Sequence, residues 1–331
     1  MEASTRGGTL QNKLGDLGSS ERLIQDLYID LRNKVGAWSA VTQQTPQARM
    51  GYVGQHLVSV VTGYPGGKSG ARGFDLVIPN KGHGEIKTCY RVDQLGACQA
   101  CNAPVSSLET ACSDCGSVKV TRKDDSKWLL SVKTESDFKQ LLEPVTYYFV
   151  LFEFEDLIDA ANPNIIASIW QVNPLELGFA LCMIDYKLNI QTGSKSGAPF
   201  NLWPYSVKFA LMKPTLIYQS RILTDSIETI IFPGQRGEPT QLALPNMSDL
   251  LKKRTLSLDS LVGLLEVNGL VGAASFEKKT LAIKAQEMRS SMDEGDFIDQ
   301  LALAVYRPML AGKSAEIPRE LKARIPLLET L

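Results

Sequence analysis

Residues 72–91, RGFDLVIPNKGHGEIKTCYR, limit the possible folds more than any other stretch of the chain. Two short runs, Phe74–Ile78 and Glu85–Cys89, flank a PNKGHG segment rich in turn formers, which predicts a pair of strands. Side chains alternate along a strand, so Glu85 and Lys87 share one side while Ile86 points into the core. Asp75, on the neighbouring strand, is placed to reach the same spot. Two carboxylates and an ammonium converging there are the residue types that metal-assisted phosphodiester hydrolysis requires. Hard Mg2+ takes oxygen ligands, polarises a phosphate and activates water. A nearby lysine holds that water or helps deprotonate it, and offsets developing charge. The same spacing also fits a surface hairpin with solvated charges, so the surroundings decide.

Those surroundings are basic. The 331-residue chain has a net charge of −1, yet six Lys/Arg lie between positions 49 and 91 (Arg49, Lys68, Arg72, Lys81, Lys87, Arg91), against only two acids, Asp75 and Glu85. A surface of that sign suits phosphates, with Lys68, Arg72 and Arg91 as candidate DNA contacts. The loop at 63–73, GYPGGKSGARG, contains a GKS triplet but is not a P-loop. Position 62, where the first glycine would fall, is Thr62, and a helix precedes the loop where a strand should.

Directly after the second strand, Cys98, Cys101, Cys112 and Cys115 make C-x2-C-x10-C-x2-C. Four thiolates at this spacing close a tetrahedral Zn2+ shell with no open position, which is a structural site; two disulfides are the alternative. Six cysteines with four in one cluster do not read as a secreted framework, and a reducing cytoplasm is expected. Cys89 and Cys182 are left as core thiols. No apolar run is long enough for a membrane span, and the first twenty residues lack the apolar segment of a secretion signal. Only His56 and His83 are present, so histidine-based triads are hard to build.

In chain order, residues 1–19 read as a partly mobile leader. An amphipathic helix is expected over 20–36, capped by Ser20, with Leu23, Leu27, Leu31 and Val35 inward. A second helix is expected over 46–62, with a Thr45 cap and with Met50, Val53, Leu57, Val58 and Val61 buried, which leaves Gln55 on another face. Beyond the cysteines, a helix at 134–143, strands at 146–154 and 165–172, a helix at 174–183 and two strands within 200–222 complete an α/β pattern. The aromatic run TYYFVLFEF reads as a central strand. Residues 233–246 resemble a linker, and 247–331 carry helical signals only. The expected architecture is an α/β fold, a mixed sheet flanked by helices over 20–240. Residues 92–127 would be an inserted zinc module and 247–331 a helical C-terminal lobe.

The order of helix, glycine-rich loop, Asp strand and Glu-x-Lys strand resembles the PD-(D/E)xK nuclease superfamily, and within it the type II restriction endonucleases. Gly51-Tyr52-Val53-Gly54-Gln55 takes the place of that superfamily's G-x-x-G-E helix, and PQARMGYVGQHL and SGARGFDL are similar to the MamI group. The resemblance implies that Asp75 and Glu85 bind Mg2+ with the Ile86 carbonyl as a further ligand, and that Lys87 acts on the attacking water. Gln55 departs from the usual Glu, and an amide there could orient water; Phe74 replaces the usual proline. It also implies a cytoplasmic prokaryotic enzyme, a symmetric homodimer cutting a palindromic or interrupted palindromic site in double-stranded DNA, and a cognate methyltransferase. Two other readings remain open on the residues: a non-catalytic DNA-binding protein built on the zinc module, and a repair nuclease without sequence preference.

Overall fold

The computed structural model describes residues 12–44, 52–67, 74–132, 134–159, 161–192, 198–252 and 256–331. Its centre is a mixed sheet in the order β1-β2-β7-β8-β10-β11, with a short β12 also paired to β10. These strands are β1 (Leu76–Ile78), β2 (Gly82–Tyr90), β7 (Thr146–Phe154), β8 (Ile165–Val172), β10 (Thr215–Ile222), β11 (Ile227–Ile231) and β12 (Thr240–Gln241). The pair β2–β7 is parallel and the other pairs are antiparallel. Between β2 and β7 the chain makes a small sheet of β3 (Gly96–Cys98), β4 (Pro104–Val105) and β5 (Val120–Thr121). β6 (Trp128–Leu130) then pairs with β9 (Phe200–Leu202) outside the main sheet.

The apolar run of β7 is explained by burial on both faces. Tyr148, Val150 and Phe152 pack with Leu57, Val58 and Val61 of α3 (Val53–Thr62). Tyr147, Phe149 and Leu151 pack on the opposite face with α5 (Leu177–Asp185), whose nine residues are all buried. The C-terminal helices α7 (Met247–Lys252), α8 (Leu258–Val267), α9 (Lys278–Ser291), α10 (Glu294–Leu310) and α11 (Arg319–Arg324) continue that second core without a break. They cap the sheet through α5, and Phe138 and Leu141 of α4 (Glu135–Leu141) and Phe209 and Ala210 of α6 (Val207–Ala210) join the same core. Among the described residues no helix is long and apolar enough to cross a membrane.

The mixed α/β architecture, the four-cysteine insertion and the C-terminal helices agree with the sequence reading; several local expectations do not. Helix α1 (Leu17–Ile24) begins before Ser20: Asp16 caps it by accepting from the Ser19 N–H at 2.7 Å, while Ser20 is buried inside. A π-helical turn at Gln25–Ile29 separates α1 from α2 (Asp30–Thr42). The extra residue per turn rotates the apolar face, so Ile24, Tyr28 and Ile29 are buried and Leu27 and Leu31 are exposed. The two strands expected within 200–222 are both present as β9 and β10, although β9 pairs with β6 outside the main sheet. Residues 233–246 are no free linker: Phe232 and Arg236 close a turn, and β12 joins β10. The expected Thr45 cap, Met50 and Gly51 lie outside the described residues, as do Lys68 and Arg72.

Candidate active site and four-cysteine centre

Asp75 stands at the bend before β1, where its backbone carbonyl accepts from the Gly67 N–H at 3.1 Å. That approach needs a glycine, since a Cβ at position 67 would lie 1.9 Å from the Phe74 carbonyl oxygen. One Asp75 carboxylate oxygen accepts from the Ile86 N–H at 2.8 Å, and the other from the Gln55 amide at 3.2 Å. The carboxylate is thus aimed by both the neighbouring strand and α3.

Gln55 reaches it because α3 lies close on β2. A Cβ at Gly54 would sit 2.4 Å from Thr88 Oγ1, and the Gly54 N–H donates to the Tyr90 hydroxyl at 3.0 Å. Gly84, Ile86 and Thr88 face that helix, so Glu85 and Lys87 face the other way, as their alternation predicts. Their side chains pair at 2.5 Å and each is about one quarter exposed. Burial raises the Glu85 carboxyl above its ordinary range; Lys87 opposes this and repulsion from Asp75 adds to it. Tyr147, the register partner of Glu85, donates to the Leu141 carbonyl at 2.6 Å. Its phenol is pushed up first by burial, then by Glu85 and Asp75, which places it beside both carboxylates. Tyr147 and Tyr90 support the site without any motif that would have marked them. His83, on the same face as Glu85, stacks on Phe74 with ring centres 3.5 Å apart.

Two half-buried carboxylates that repel one another across one lysine are a donor set suited to a hard divalent cation. Arg91 is not part of this surface. It is buried and turned inward, pairing with Asp124 at 3.2 Å and Glu153 at 3.7 Å, which removes it from the candidate phosphate contacts.

The four cysteine sulfurs lie within 4.8 Å of one another, with Cys98–Cys115 and Cys101–Cys112 both at 3.6 Å. Disulfides require about 2.05 Å. Four thiolates at about 2.3 Å from a tetrahedral ion stand about 3.8 Å apart, so the cluster fits such an ion and not two bridges. Each C-x-x-C is followed by a residue in the left-handed region, Asn102 (φ 62°) and Gly116 (φ 72°). Their N–H groups return to the Cys98 and Cys112 carbonyls at 2.9 and 2.8 Å, making two matching knuckles. Asn and Gly directly after the cysteine pairs were a signal visible in the sequence. Cys89 and Cys182 are buried, and burial pushes their thiols up to about 12 and about 11, so both are inert core groups.

Neither the curated proteins nor the solved structures offer a match to the chain. The model of the MamI restriction endonuclease family matches residues 37–240, a span that runs from α2 to β12 and includes Asp75, Glu85, Lys87 and all four clustered cysteines. With more than half of its length matched, the chain belongs to the MamI restriction endonuclease family.

Proposed function

We propose that this restriction nuclease is a Mg2+-dependent type II enzyme that cuts double-stranded DNA at a palindromic or interrupted palindromic site. The observation that carries the reading is the Asp75 carboxylate, held by the Ile86 N–H and the Gln55 amide, beside the Glu85–Lys87 pair. Asp75 and Glu85 hold the metal, whose role when bound is to polarise the scissile phosphate and acidify water. Lys87, an ammonium paired to Glu85, donates to the attacking water at its Nζ and offsets the charge that develops on the phosphate. Gln55 fixes the orientation of Asp75, and the buried flank of Tyr147 keeps bulk water from the inner side of Glu85. The four cysteines hold a structural Zn2+ that fastens the insertion and takes no part in the chemistry. Two strands to be cut at a symmetric site call for two copies of the chain, and the host's DNA requires a cognate methyltransferase for protection.

Digestion of unmethylated phage DNA by the purified protein, with Mg2+ and with EDTA, tests the reading. Discrete bands that vanish with EDTA and with Asp75→Ala are the expected result. A smear would favour an end- or structure-directed nuclease, and intact DNA in every lane a non-catalytic binding protein; either overturns the proposal.

A further inference from the structure

Trp203 and Tyr205 flank Pro204 in the connection between β9 and α6, and both residues are partly exposed, at 41% and 45%. Tyr205 adopts φ +57°, a left-handed conformation disfavoured for an aromatic residue. The surroundings hold it there: its hydroxyl donates to the Glu153 carboxylate, and Arg91 pairs with Glu153 from the other side at 3.7 Å. Burial raises the Glu153 carboxyl, while the Tyr205 hydroxyl and Arg91 hold it down. The inward turn of Arg91 therefore offsets the negative charge behind the ring.

Lys127 Nζ lies 4.8 Å from the centre of the Trp203 ring and has no ion pair among the described residues, whereas the ring that Lys208 covers, Phe200, is buried. An exposed tryptophan with an ammonium on its face, beside an exposed tyrosine, matches the backbone of duplex DNA, which offers phosphates to the ammonium and sugar surfaces to the rings. The patch also lies on the correct face. Glu153 follows Tyr147, Phe149 and Leu151 along one side of β7, and Phe149 is the register partner of Lys87. Four residues at about 3.3 Å put Glu153 about 13 Å from Lys87 along the sheet, on the side to which Glu85 and Lys87 point.

We propose that Trp203, Tyr205 and Lys127 form a DNA contact on the sheet face to which Glu85 and Lys87 point. Lys127 meets a backbone phosphate and the two rings meet sugar surfaces. The inference rests on the nuclease reading above and adds to it residues that hold the substrate.

The test measures binding of a short duplex carrying the cleavage site, in EDTA, by the full-length protein and by Trp203→Ala and Lys127→Gln. If digestion defines no site, sheared phage DNA serves as the probe. Trp203→Ala should weaken binding by about tenfold or more and raise KM while kcat is kept. Lys127→Gln should weaken binding and lower the slope of log K against log salt by about one. Photocrosslinking of the unaltered protein to 5-iodouracil, placed in turn at each position of the duplex, should attach to Trp203 or Tyr205 from at least one position. Binding by both variants within twofold of the parent, or a crosslink that maps only elsewhere, overturns the proposal. Asp75→Ala separates the two readings, since it should lose cleavage and keep binding. Cleavage retained by Asp75→Ala would refute the active-site assignment, whatever the Trp203 variant does.

Discussion

Glu85 is the acid whose surroundings oppose its charge. Burial raises it first, Lys87 counters, and Asp75 repels it, so the folded chain keeps a proton that the unfolded chain releases near 4.5. Tighter proton binding in the folded state means that the metal-free protein loses stability as pH climbs from about 4.5 through the raised value. A divalent ion competes for the same oxygen, so the rise in Tm on adding Mg2+ is expected to be larger at neutral than at mildly acid pH. A gain independent of pH would remove Glu85 from the ligand set. Lys87→Ala should lower kcat by about 10²- to 10³-fold with duplex binding unchanged, since its part is played on the reacting water. Gln55→Leu leaves Asp75 with one aiming hydrogen bond of two. The Mg2+ concentration for half-maximal cleavage should then rise by about 10- to 100-fold. Of this site, Asp75, Glu85 and Lys87 were legible because strand alternation is local and strict. The partner of Gln55 was not, because it depends on how closely α3 meets β2. Arg91 misled for a related reason: it continues the Glu85–Lys87 parity, and only the arrival of Asp124 and Glu153 turns it inward.

At the scale of elements, the contact of α3 with β2 decides the geometry of the site. Gly54→Ala drives a methyl into Thr88 and should cost about 1–3 kcal/mol, read as a lower Tm, with cleavage reduced further as Gln55 is displaced. Gly54→Ala combined with Thr88→Ser should recover part of both, because the 2.7 Å approach to the Thr88 methyl is then gone. The helix ahead of it shows where periodicity fails. Leu23, Leu27, Leu31 and Val35 make a regular stripe, but the π-helical turn at Gln25–Ile29 shifts the register so that Tyr28 and Ile29 take the core. No residue in that turn announces it. By contrast, β9 was legible as a strand, and only its choice of β6 as partner is a matter of tertiary pairing.

For the whole molecule, the helices after position 247 share one apolar core with α5 and the sheet. Leu301 in α10 is fully buried there, and Leu301→Ala should cost about 2–5 kcal/mol, lowering Tm and solubility. The four-cysteine insertion is attached differently. Arg122 clamps the carbonyls of Asp156 and Asn162, at 3.0 and 2.7 Å, and Arg32 of α2 reaches the Ser107 carbonyl at 3.2 Å. Its own core is confined to Cys98, Val105, Cys112 and Val120. Cys112→Ser should therefore abolish stoichiometric zinc binding and open this segment to protease, while the sheet keeps its far-ultraviolet circular dichroism. The insertion also leaves from and returns to one place: Ala97 pairs with Thr121, and Gly96 passes so near that a Cβ would lie 2.0 Å from the Thr121 carbonyl. A loop whose ends already meet at its base keeps one neck width whatever lies beyond it, so a change of length between Ala97 and Thr121 should leave the register of β2 and β7 as it is.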